Sequence, residues 1–101
     1  MPVERLQMKF TAATRHLTRA HVGVVASGDL EVLLEPSAAQ SACVIVNTSV
    51  PGFLPVWQSV LTRFFERFDT VVTIEINDFG ATPGTVMLRL EQAAEAAGRW
   101  R

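Results

Sequence analysis

Apolar and polar positions change period twice along the chain, and those changes set out the elements. Leu6, Met8 and Phe10 alternate with Arg5, Gln7, Lys9 and Thr11, the period of a half-buried strand. Thr11 to Thr18 is small and polar and predicts a loop. His21 to Ala26 predicts a second strand. Leu30, Val32 and Leu34, alternating with Glu31 and Leu33, predict a third, running to Glu35. Between these two lies Ser27-Gly28-Asp29, where Gly tolerates positive φ and Asp bonds its own backbone, so Val24 to Leu34 reads as a β-hairpin with Ser27 at its tip. Glu35 to Ser41, with Pro36 and small residues, predicts a loop closing a second hairpin. Ala42 to Thr48, with Val44, Ile45 and Val46, predicts a buried strand. To this point the pattern is a meander of four strands.

The period then lengthens. Val50-Pro51-Gly52 breaks the strand, and Phe53, Trp57, Val60, Leu61, Phe64 and Phe68 recur at three- and four-residue spacing on one helical face, with Arg63, Glu66 and Arg67 on or beside the other. Val71 to Ile76 returns to period two. A strand, helix and strand in succession form a crossover, so the fourth and fifth strands are expected to be parallel and the crossover right-handed. Thr82-Pro83 is a helix start, a side-chain acceptor followed by a residue pre-set for the first helical position. Val86, Leu90, Ala93, Ala94 and Ala97 make the inner stripe, Arg89, Glu91, Gln92 and Glu95 lie mostly outside, and the helix ends near Gly98. The order β-β-β-β-α-β-α predicts an α+β fold in two layers: a mostly antiparallel (mixed) five-stranded sheet with two helices on one face and water on the other.

Composition narrows the function classes. At 101 residues one domain over 1–101 is expected, with no repeat or linker to divide it. A chain of this size buries about 60% of its unfolded surface, which gives one core and no deep private active-site cavity. The net charge of −1 leaves no electrostatic footprint for nucleic acid, and no basic patch for an anionic membrane stands out. Hydrophobic residues reach 49% while charged residues are 19%, which suggests that other subunits cover part of the surface. A single cysteine, Cys43, excludes an intramolecular disulfide. Met1 to Arg5 leads into alternation rather than an apolar leader, and no apolar run approaches the ~20 residues that span a bilayer, so the cytoplasm is the expected compartment.

The catalytic inventory is thin. His16 sits in the polar loop and His21 opens a strand, neither with a partner at a defined spacing. Cys43 reads as a small buried hydrophobe. Asp29 and Glu31 flank a turn and read as solvated rather than as an acid–base pair. Asp78 reads as a turn former. The loop Asn77 to Gly84 opens a helix, whose N-terminus attracts anions, though on spacing alone an ordinary capped entry is the favoured reading. Trp57 and the Phe stripe read as core; Trp100 and Arg101 read as a terminus prone to fray. On residues alone, Ser27 is a serine in a turn.

The segment Val22-Gly23-Val24-Val25-Ala26-Ser27-Gly28-Asp29-Leu30-Glu31-Val32-Leu33-Leu34-Glu35-Pro36 closely resembles the serine-bearing segment of the acyl-carrier (delta) subunit family of bacterial malonate decarboxylase. Ile74 to Gly84, followed by Leu88-Arg89-Leu90-Glu91-Gln92-Ala93, resembles the same family's C-terminal signature, and the Trp57 to Phe68 helix with Arg63-Phe64-Phe65 fits it too. Ala13 to Arg19 and Pro36 to Ser41 carry no family signal. The resemblance implies a carrier that catalyses neither step itself. It implies a 2'-(5''-phosphoribosyl)-3'-dephospho-CoA arm joined by a phosphodiester to the matching serine, Ser27, with Gly28 and Asp29 supporting the turn. It implies partners: a prosthetic-group transferase, an acetyl/malonyl transferase, and decarboxylase subunits that regenerate acetyl on the thiol. Asp29 and Glu31 are then expected to meet basic patches on those partners. Two other readings stand beside this one: a small-molecule module binding an anion at Asn77 to Gly84, and a structural subunit that bridges larger chains.

Overall fold

A computed structural model of the chain describes residues 3–13 and 18–98; His16, Trp100 and Arg101 lie outside the described residues. Five strands and two helices follow in the order β1 (Glu4–Phe10), β2 (Ala20–Gly23), β3 (Leu30–Pro36), β4 (Ala42–Thr48), α1 (Leu54–Arg67), β5 (Val72–Asp78) and α2 (Pro83–Ala96). The strands form one mixed sheet, with both helices packed on one of its faces. The expected α+β architecture and element order are those observed.

The sheet order is β1-β4-β5-β3-β2. β4 and β5 are parallel, as the crossover requires, and the β1–β4, β2–β3 and β3–β5 pairs are antiparallel. The four-strand meander is therefore wrong at two places. β1 pairs with β4 rather than β2, and β5 inserts between β3 and β4, so Glu35 to Ser41 does not close a hairpin. The reason is burial. Val72, Ile74 and Ile76 are fully buried, and the centre of the sheet is where a strand so apolar on its helix-covered face loses most contact with water.

Alternation fixes the register of that face. Leu30, Val32, Leu34, Ala42, Val44, Val46, Val72, Ile74 and Ile76 all point under the helices and have no exposed surface. Trp57, Val60, Leu61, Phe64, Phe65 and Phe68 close over them from α1, and Val86, Leu90, Ala93, Ala94 and Ala97 from α2. Phe65, absent from the three-four pattern, joins the core by stacking on Phe10 of β1 with ring centroids 4.8 Å apart. Phe53, which the periodicity places in the stripe, caps α1 instead and is 48% exposed. Thr82 caps α2 as expected, its hydroxyl accepting the Thr85 N–H at 3.2 Å.

The open face is polar and internally bonded. Asn47 Nδ2 donates to Glu75 and Asn77 at 3.1 and 3.0 Å, Asn77 Nδ2 donates to Glu31 at 2.9 Å, and His21 Nε2 lies 2.8 Å from Glu31 Oε2. Cys43 lies half-buried on this face, with Gln7 Nε2 3.7 Å from its sulfur, rather than in the core. β2 stops at Gly23, three residues short of the expected end at Ala26. Gly23 has φ +85°, and a Cβ there would collide with the Leu30 carbonyl oxygen, so the chain turns away from the ladder where only glycine fits. We expect Gly23→Ala to lower stability by roughly 2–4 kcal/mol, strain and collision together. Gly52→Ala, with φ +89° and open space around the Cβ, should lose about 1 kcal/mol from strain alone. Equal losses in urea denaturation would contradict this account.

Candidate functional site

Between Gly23 and Leu30 the chain builds a six-residue excursion rather than the tight turn expected at Ser27-Gly28-Asp29 alone. Val24, Val25 and Ala26 leave the ladder and are exposed, Val24 at 54% and Val25 at 61%. The Ala26 N–H bonds back to the Val24 carbonyl at 3.1 Å, a three-residue turn. A four-residue turn follows, in which the Asp29 N–H donates to the Ala26 carbonyl at 3.0 Å. Ser27 and Gly28 are its central pair, and Gly28 has φ +77°, the sign a type II turn demands at that position. Ser27 is exposed at a strand-to-strand turn, and a Cβ built on Gly28 meets nothing within 4 Å. Ser27 and Gly28 are thus both exposed at the tip of the turn.

An exposed turn of this kind would be mobile without restraint, and two restraints act on it. The first is backbone. Gly28 N–H donates to the Phe79 carbonyl at 2.7 Å, and Phe79 N–H donates to the Asp29 carbonyl at 2.9 Å, so the β3–β5 ladder continues past the last strand residues and holds the base of the turn. The second is an ion pair. Arg89 of α2 grips the Asp29 carboxylate with both ends of its fork, Nε to Oδ1 at 3.1 Å and Nη2 to Oδ2 at 2.7 Å, while Leu30 N–H donates to Oδ1 at 2.7 Å. The Arg89 side-chain bonds first, then the Leu30 amide, hold the Asp29 carboxyl below its usual range. Arg89 is held in turn by Gln92, whose Oε1 accepts from Nη1 at 3.0 Å.

These contacts alter two expectations. Asp29 is not a solvated charge awaiting a basic patch; its partner is inside the chain. Glu31 is likewise engaged, its carboxyl lowered chiefly by the Asn77 hydrogen bond and secondarily by His21. Arg89 is the residue that sequence reasoning missed. It sits beside Leu90 on the helical wheel and reads as an outward charge, and no spacing announces a partner sixty residues away.

The loop before α2 resolves in favour of a turn. Asp78 is buried and accepts from Gly80 N–H at 3.3 Å, Ala81 N–H at 3.0 Å and Thr48 Oγ1 at 2.8 Å. The Gly80 and Ala81 amides thus serve the chain's own carboxyl, and the Thr85 amide serves the Thr82 hydroxyl. Beside this loop lies an apolar cleft of about 280 Å³ between the N-termini of α1 and α2, walled by Val50, Phe53, Val56, Trp57, Val60 and Val86. Among the described residues no cluster of three or more His, Cys, Asp or Glu is placed to hold a metal.

Comparison with known proteins agrees with this architecture. The family model "Malonate decarboxylase delta subunit" matches residues 17–97. The "Malonate decarboxylase acyl carrier protein" of Pseudomonas aeruginosa (strain UCBPP-PA14) is 50% identical over 97 residues, covering 95% of this chain and 98% of the relative. That of Stutzerimonas stutzeri (strain A1501) is 48% identical over the same shares. A chain in the crystal structure of a Pseudomonas malonate decarboxylase hetero-tetramer in complex with malonate superposes with a TM-score of 0.89 at 46% identity, covering 95% of this chain and all of that one. The chain belongs to the malonate decarboxylase delta-subunit family.

The Asp29–Arg89 pair has a pH signature. A carboxyl whose pKa is lowered on folding contributes stability that is present above its unfolded value of about 4 and is lost as pH falls through the folded value. The melting temperature of Asp29→Asn should therefore lie below that of the parent at neutral pH and converge on it in acid. An offset that persists unchanged to the lowest pH would contradict the pairing. Arg89→Gln should also speed amide exchange at Gly28 and Asp29 more than at β4 amides.

Proposed function

We propose that this member of the family is the acyl-carrier subunit of a malonate decarboxylase, that it performs neither chemical step itself, and that Ser27 is its attachment point. The observation that carries the reading is the exposure of Ser27 on a turn held from below by β5 and α2. The resemblance of Val22 to Pro36 to the family's serine-bearing segment supplies the chemical identity of the attached group, 2'-(5''-phosphoribosyl)-3'-dephospho-CoA. When attached, that group supplies a thiol able to carry acetyl and malonyl as thioesters.

The chain's own part is geometric. Attachment requires Ser27 Oγ to form a P–O bond while the donor's P–O bond to its leaving group breaks in line. A base on the modifying transferase takes the hydroxyl proton. An oxygen free of bulky neighbours permits that approach, and Gly28 keeps one flank bare. Asp29 and Arg89 hold the turn in one place, so the tether swings from a fixed anchor. Tethering keeps the acyl group at an effective concentration of about millimolar at sites within reach. The partners that follow are the prosthetic-group transferase, an acetyl/malonyl transferase and decarboxylase subunits. The relative from Pseudomonas was seen in a hetero-tetramer, which fits a carrier that works docked. On this reading the chain acts as one carrier domain in the cytoplasm.

Intact-mass measurement after co-expression with the modifying enzymes tests the reading. We expect a single mass increase equal to the nucleotide arm and its complete loss in Ser27→Ala. The variant's stability should stay within about 0.5 kcal/mol of the parent, because the side chain is exposed. An unmodified parent, or a Ser27→Ala chain that still gains the arm, would refute it.

A further inference from the structure

Ser27 and the apolar cleft lie on either side of one short loop. Gly28 bonds to the Phe79 carbonyl, and Gly80 and Ala81, the next residues, line the cleft. With ~3.8 Å per chain step and at most ~6.6 Å across the single Gly28–Phe79 hydrogen bond, the Ser27 and Gly80 Cα atoms are no more than about 14 Å apart. A phosphoribosyl-dephospho-CoA arm is longer than this. The walls of the cleft are the aliphatic and aromatic side chains of α1, α2 and Val50, and its rim leaves Phe53 48% and Val56 38% exposed. At its floor the Thr48 hydroxyl and Asp78 carboxyl are bonded to each other and to the loop. None of the lining residues is Lys, Arg or His.

We propose that this cleft shelters the acetyl-bearing end of the arm attached at Ser27 and excludes the malonyl-bearing end, so that the chain holds its resting acyl group and exposes its substrate group. The inference rests on the carrier reading. An acetyl thioester is small and uncharged and gains by leaving water for aliphatic walls. A malonyl thioester carries a carboxylate. In the cleft it would leave water for a site with no cationic side chain and with the Asp78 carboxyl at the floor, which is unfavourable for an anion. The tether makes modest affinity sufficient, because the end of the arm is presented at about millimolar effective concentration. The same cleft would keep the thioester from water between turnovers.

Methyl NMR on valine-labelled protein tests this, with intact mass measured first on each sample. The unmodified, acetyl-loaded and malonyl-loaded chains are compared. We expect the methyl signals of Val50, Val56, Val60 and Val86 to move on acetyl loading and to return to their unmodified positions on malonyl loading. Val56→Asp places an acid in the first turn of α1, where the helix N-terminus tolerates it, and should abolish the acetyl-dependent shifts while leaving loading intact. Shifts confined to Val22, Val24 and Val25 would overturn the proposal, as would equal cleft shifts with both acyl groups. Cleft shifts that depend on protein concentration and not on loading would assign the cleft to a second copy instead, which also overturns it. A chain that never gains the arm's mass refutes the carrier reading; a loaded chain with an unmoved cleft refutes this inference alone.

Discussion

The pairing of β3 with β5 runs one residue further than either strand, and the exposed serine depends on that extra step. The Phe79 backbone takes the Gly28 amide and gives its own to Asp29, so a turn projecting into solvent is fastened to the central strand of the sheet. Central strands are the least mobile part of a sheet, since both edges are paired and one face is buried. Gly23 makes the arrangement possible from the other side. It ends β2 early, passes close to the Leu30 carbonyl, and releases Val24 to Ala26 from the ladder. The Asp29–Arg89 pair then ties the same turn to α2. Ser27 is therefore exposed and yet anchored to both layers of the fold.

The two layers divide the work. The helix-covered face of the sheet is an aliphatic and aromatic core, closed by the phenylalanine group of α1 and the alanine stripe of α2 and ending in the buried Thr48–Asp78 pair. The loops at the ends of the parallel pair β4 and β5 lead directly into α1 and α2. The C-terminal ends of adjacent strands and the starts of two helices thus converge, and the apolar cleft opens where they part. The serine turn lies at this same end, because β3 begins where β5 finishes: Leu30 pairs with Asp78.

Much of the architecture was legible in the sequence, and the physical reason is periodicity. Leu30, Val32 and Leu34, or Trp57, Leu61 and Phe64, declare both the element and its buried face. Alternation says which face a strand shows but nothing about its neighbour, so β5 was recognised without its position between β3 and β4. Local chemistry was read where it is local: the Thr82 cap and the Asp78 turn depend on residues three or fewer positions away. Arg89 was misread because its partner is distant in sequence, and a charge beside an apolar stripe looks the same whether it meets solvent or Asp29. Phe53 was misplaced because a helix cap shares the period of the helix it precedes. The serine is legible as a turn residue, while the chemical task proposed for it rests on the resemblance of the surrounding segment to the carrier family.

The central claim is that a restrained, exposed Ser27 carries the acyl group of the working complex. The most direct measurement supplies isotope-labelled malonate to the assembled complex, stops it during turnover, and sequences the carrier's peptides by mass spectrometry. The account predicts labelled acyl groups on an arm attached to the peptide containing Ser27, with fragment masses assigning the arm to that residue. Label on a different residue of this chain, or turnover with no label on the chain at all, would contradict it.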